Sequence, residues 1–79
     1  MTRETLMAYL IGDLGADPSR LQDDTPLFSG GMLDSFRMID LMTFIEGATG
    51  RQMDPVDVTL DNLDNMTSIL AYVARKGRG

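Results

Sequence analysis

Three stretches of this chain repeat apolar residues with the period of an α-helix, and none alternates with the period of a half-buried strand. In the first, Leu6, Met7, Leu10, Ile11 and Leu14 fall at i, i+1, i+4, i+5 and i+8, one stripe at 3.6 residues per turn. In the second, Met38, Leu41, Met42 and Ile45 share a face. In the third, Met66, Ile69, Leu70 and Val73 do so, with Tyr72 beside them. Such stripes must be buried against one another, so three of them predict helix packed on helix. At 79 residues the chain suffices for one domain burying roughly 60% of its unfolded surface. The expected fold is all-α: a small four-helix bundle of three main helices and one short one. It forms a single domain over residues 1–79 with its core at about 2–75.

The first helix is expected from about Thr2 to Leu14, with Thr2 as N-cap, Glu4 in the first turn and Gly15 placed to stop it. The second runs from about Ser35 to Ala48, with Asp34 as N-cap and Gly47 and Gly50 ending it. A loop from Gln52 to Thr59 contains Pro55 and is expected to be extended around Met53 and Val56 to Val58. Leu60 and Leu63, three apart, predict one short helical turn. The last helix runs from about Asn65 to Arg75, capped by Asp64 or Asn65, and Arg75 and Lys76 suit the negative end of its dipole. Residues 76–79 are expected as a flexible tail.

Residues 16–34 form a connection of about 19 residues, longer than a compact domain needs for linkage alone. Leu27 and Phe28 are expected to pin it to the core, with Leu33 helping. Gly30 and Gly31 allow a turn that side chains would forbid.

Composition removes whole classes of function. The chain has no Cys and no His, hence no thiolate nucleophile, no disulfide and no Cys- or His-based zinc site. It also lacks the side chain best suited to proton transfer near neutral pH. No enzymatic activity of its own is expected. Residues 1–74 hold four basic and all twelve acidic residues, a net charge of −8. That surface repels nucleic acid and anionic membranes and suits a partner with a basic patch. No stretch approaches the roughly 20 apolar residues of a membrane span, and the N-terminus lacks the apolar run of a signal peptide, so a cytoplasmic monomer is expected. Asp23, Asp24, Asp54 and Asp57 do not have the spacing of an EF-hand loop and are expected as solvated charge, with no metal site.

The chemically informative segment is Asp34-Ser35-Phe36. Ser35 falls in a first helical turn, where backbone N–H groups are unpaired and the dipole is positive, a favourable setting for a phosphate ester. Nothing in the chain is placed to take the proton from its hydroxyl, so a reaction at Ser35 requires a second protein. Asp-Ser at a helix start is in itself ordinary capping chemistry. The surroundings are less ordinary. A glycine pair precedes it, and Phe36 lies on the face opposite the buried stripe, with Asp40, Thr43 and Gly47.

With Leu27-Phe28-Ser29-Gly30-Gly31-Met32-Leu33-Asp34-Ser35-Phe36 in place, the chain resembles an acyl carrier protein over roughly residues 2 to 75. The segment is similar to that family's G-x-x-D-S-L signature, and Asp57-Val58-Thr59-Leu60-Asp61-Asn62-Leu63 looks like the family's third-helix region. The resemblance implies that Ser35 carries a 4′-phosphopantetheine arm derived from coenzyme A and that Asp34 helps a Mg²⁺-dependent phosphopantetheinyl transferase bind. It implies as further partners a ligase or acyltransferase that loads an acyl or aminoacyl group as a thioester, and downstream synthase enzymes. Phe36 stands where the family usually has Leu. Asp34 resembles the fatty acid, polyketide and D-alanyl carriers rather than the peptidyl type. Arg37 interrupts the acidic face of the second helix, so a free-standing carrier of a secondary (polyketide, aminoacyl or modified lipid) pathway is expected.

Two further expectations follow. Met32, Phe36, Asp40 and Glu46 form a docking surface for enzymes with a basic rim around an apolar notch. The unbranched Met7, Met38, Met42 and Met66 either part to admit a cargo chain or simply fill the core. The competing reading of the chain is a helical interaction module with no cofactor.

Overall fold

The computed structural model describes residues 1–77. Its helices are α1 (Arg3–Gly12), α2 (Arg37–Thr49), α3 (Leu60–Leu63) and α4 (Met66–Lys76), with a 3₁₀ turn at Pro55–Asp57, and there is no strand among the described residues. The all-α architecture is the expected one.

Each boundary has a local cause. Thr2 caps α1, its side-chain oxygen accepting from the Thr5 N–H at 3.1 Å. The helix stops at Gly12 rather than Leu14. Beyond it the chain turns through Gly15 at φ 78°, where the Ala16 N–H donates to the Leu10 carbonyl at 2.9 Å. Leu14 still joins the core, but from the turn and not from the helix. In α2 the N-cap position is held by Phe36, which makes no side-chain cap bond, and not by the expected Asp34; Asp34 closes the turn over Ser35 and Phe36 that precedes the helix, and regular helix begins only at Arg37. Gly47 does not end this helix. The left-handed residue that closes it is Gly50, whose N–H donates to the Glu46 carbonyl at 2.9 Å. Gly47 sits exposed inside the helix, where a glycine costs about 1 kcal/mol relative to alanine but breaks nothing.

The segment Val56 to Val58 is not extended. Pro55 presets the first φ of a tight turn, closed by Asp57 N–H to the Asp54 carbonyl at 2.9 Å and Val58 N–H to the Pro55 carbonyl at 3.2 Å. For α4 the cap is Asn65, whose side chain accepts from the Ser68 N–H at 2.8 Å. Lys76, placed in the expected tail, is the last residue of α4, and its ammonium lies 3.6 Å from Asp57. Residues 78 and 79 lie outside the described residues.

Helix α4 is the hub and packs against each of the other three. The fully buried side chains are Leu6 and Leu10 from α1, Leu41 and Ile45 from α2, Leu63 from α3, Met66 and Ile69 from α4, and Leu27 from the long connection. Met38 and Met42 flank the α2 stripe and are only half-buried. On the other side of α2, Phe44 stacks on Tyr9 of α1 with centroids 3.9 Å apart and planes 6° from parallel. The Tyr9 hydroxyl donates to the Asp40 carbonyl at 2.9 Å, and burial followed by the nearby Asp40 charge raises its pKa.

The connection over residues 13–36 is structural in its own right. Leu14, Ala16, Leu21, Leu27 and Leu33 all enter the core from it. Asp23 pairs with Arg3, and its carbonyl accepts from the N–H and hydroxyl of Thr67 at the start of α4, at 3.1 and 3.2 Å. Several backbone polar groups of this non-helical segment are thus met by turn and tertiary bonds.

Candidate functional site at the start of α2

The site is built from a tight turn between two buried leucines. Leu27 and Leu33 sit in the core, and the Leu33 N–H donates to the Leu27 carbonyl at 2.8 Å. The chain between them must fold back on itself, and both glycines are needed for distinct reasons. A Cβ on Gly30 would lie 2.5 Å from the Pro26 carbonyl oxygen, while Gly31 adopts φ 82°, which L side chains resist. Leu33 is the last anchor. Asp34, Ser35 and Phe36 follow it immediately and are all exposed.

Asp34 accepts the Arg37 N–H through both its carbonyl and its carboxylate, at 3.1 and 3.2 Å, and so closes the turn that carries Ser35. The Ser35 carbonyl accepts from the Met38 N–H at 3.2 Å, and the residue as a whole is exposed. Among the described residues no side chain is hydrogen-bonded to its hydroxyl.

From across the molecule, Asp64 reaches the same loop. Its carbonyl accepts the Leu27 N–H at 2.6 Å. Its carboxylate accepts the N–H groups of Phe28 and Ser29 at 2.8 and 3.0 Å and also the Ser29 hydroxyl. Burial pushes this carboxyl up, but bonds from the Ser29 hydroxyl, the Ser29 N–H and the Phe28 N–H outweigh it and hold the pKa below its ordinary value. Sequence reasoning offered Asp64 only as a helix cap; nothing local to it signals a partner 35 residues away.

The remaining candidates divide. Phe36 is 82% exposed, and Asp40 is exposed one turn on, in an ion pair with Arg37 at 3.6 Å. Met32 is half-buried against the core. Glu46 is half-buried, and its carboxylate accepts the Met53 N–H at 2.8 Å, so that oxygen fastens the following loop. Ile39, which sequence reasoning passed over, is 67% exposed. It lies three residues after Phe36, a spacing that makes the two neighbours on the helix surface, and a helical wheel could have revealed it. Among the described residues no cluster of acidic side chains is arranged to hold a metal ion, and no helix is long and apolar enough to cross a membrane.

The family model for phosphopantetheine attachment sites matches residues 4–72, from α1 to well into α4. The chain belongs to that family. No curated protein matches it. As a member of the family it is a carrier domain for the 4′-phosphopantetheine prosthetic group, and carrier domains of this family present their group to other enzymes rather than catalyse. Its partners in general are therefore the enzymes that modify it and the enzymes that load it.

Proposed function

We propose that the Ser35 hydroxyl is the attachment point for phosphopantetheine and that the domain carries an acyl or aminoacyl intermediate between enzymes. The observation that carries this is the placement of an exposed serine directly after a buried anchor, at the mouth of α2, inside the region matched by the family model. When bound, the group supplies the thiol that the chain lacks and on which cargo is held as a thioester. The chain's own residues fit it. Ser35 provides an unshielded oxygen, Asp34 holds the turn and offers an exposed carboxylate beside it, and Phe36 gives an apolar contact on the same turn. The Ser35 oxygen forms the phosphodiester as the pyrophosphate bond of coenzyme A breaks and adenosine 3′,5′-bisphosphate leaves; because no base of this chain is bonded to the hydroxyl, its proton goes to a group on the phosphopantetheinyl transferase.

The outward face of α2 supports a docking role for Phe36 and Asp40, with Met32 at the edge of the preceding loop. Glu46 contributes charge at the far end of the same helix while its carboxylate fastens Met53. The Arg37–Asp40 pair locally cancels the negative charge that a strongly basic partner would seek, which favours a secondary pathway (polyketide, aminoacyl or modified lipid) with a loading ligase or acyltransferase and downstream synthases as partners. A tethered cargo gains effective concentration at each of them in turn.

The test is an intact mass. Incubated with coenzyme A, Mg²⁺ and a broad-specificity transferase, the wild-type chain is expected to gain one phosphopantetheine and Ser35→Ala none. A wild-type mass that does not change overturns the proposal.

A further inference from the structure

We infer that Asp64, at the junction of α3 and α4, is a positioning residue for modification of Ser35: it fastens from outside a loop that cannot hold its own shape. The inference rests on Ser35 being the attachment point. A continuous run of hydrogen bonds supports it. The carboxylate and carbonyl of Asp64 take the N–H groups of Leu27, Phe28 and Ser29 and the Ser29 hydroxyl. The Leu27 carbonyl takes the Leu33 N–H at 2.8 Å, and the next residue, Asp34, takes the Arg37 N–H. Ser35 sits within that last bond. Between Ser29 and Leu33 lie Gly30, Gly31 and Met32, and two adjacent glycines make this the segment with the most backbone freedom to lose on folding. A single side chain satisfying three donors there replaces the order that the sequence itself does not provide. The depressed pKa of Asp64 agrees with a carboxylate whose charge those donors need.

The arrangement separates placement from stability. Asp64 is half-buried at the junction of α3 and α4, whereas Leu63, Met66 and Ile69 near it bury the apolar contacts. Removing the carboxylate therefore loosens the turn more than it loosens the bundle.

The experiment compares Asp64→Ala, Asp64→Asn and Tyr72→Phe, the last removing a hydroxyl bonded to Asp57 at 3.0 Å and thus a bond of α4 outside the loop. Two quantities are read: kcat and KM for transfer from coenzyme A, and hydrogen exchange at the amides of Phe28, Ser29 and Leu33 against that of Ile69. Asp64→Ala is expected to lower kcat about tenfold through misplacement of the hydroxyl, with a smaller change in KM. It speeds exchange at the three loop amides and leaves Ile69 slow. Asp64→Asn keeps an oxygen for the two amides and offers its NH₂ group to the Ser29 oxygen, so it recovers most of the rate. Tyr72→Phe keeps the wild-type kcat. Transfer to Asp64→Ala at the wild-type kcat, or loop amides as protected as in wild type, overturns this inference alone. A wild-type chain that accepts no group overturns the attachment reading and this one with it.

Discussion

Leu27 lies in a segment with no helical pattern of its own, yet it is fully buried, and that combination yields a sharp prediction. Leu27→Ala removes three carbons from the core, worth about 2.4 kcal/mol at ~0.8 kcal/mol per buried methylene. The cavity left behind brings the loss to roughly 3–4 kcal/mol, because neighbours relax only in part. A chain of this size has a total stability of about 4–12 kcal/mol, so the substitution takes away a large fraction. With a urea m-value near ~1 kcal/mol/M, the unfolding midpoint should drop by about 3 M. Phe36→Ala deletes a larger apolar side chain that is 82% exposed, and its effect on stability should stay within about 0.5 kcal/mol. The assay is urea unfolding of both variants followed by far-ultraviolet circular dichroism. If Leu27→Ala shifts the midpoint no more than Phe36→Ala does, the long connection is not part of the core and the reasoning fails. A Leu27→Ala chain with no helical signal at all is the extreme form of the expected result.

Other expectations are independent of that one. Gly30→Ala and Gly31→Ala should each destabilise by about 1–2 kcal/mol, one through the close approach of Pro26 and the other through its left-handed backbone. Asn should relieve the cost at position 31 and not at 30, which thermal melts of the four variants will check. Glu46→Ala should lose about 1–2 kcal/mol by leaving the Met53 N–H without its acceptor, whereas Asp40→Ala should leave stability nearly unchanged and slow transfer to a partner in a salt-dependent way. Because the Asp64 pKa lies below its ordinary 3.8 in the folded chain, its contribution is complete above the ordinary carboxylate range and is lost as pH falls through the depressed value. Urea midpoints measured from pH 5 down to 2 should therefore fall less steeply for Asp64→Asn than for wild type.

The helices were legible because their stripes repeat at 3.6 residues, and the caps Thr2 and Asn65 were legible because the side chain that caps is adjacent to the helix it caps; Asp34 instead closes the turn before α2, whose N-cap is Phe36. Gly47 was misread for want of context: the left-handed turn that closes this helix occurs at Gly50 and not at Gly47. The loop around Val56 to Val58 was expected to be extended, but Pro55 sets a 3₁₀ turn there and Val56 stays on the surface. The turn around Ser35 could be read from its glycine pair and its neighbours. Its fastening by Asp64 and the commitment of Glu46 to Met53 could not, since both depend on contacts between residues far apart or across a loop. Such bonds carry no local pattern.

The most direct measurement is to digest the coenzyme-treated chain and fragment the peptide spanning the loop and the start of α2. The added phosphopantetheine is expected on the Ser35 oxygen and nowhere else. The group found on Ser19, Ser29 or Ser68 instead, or an unmodified peptide throughout, contradicts the account.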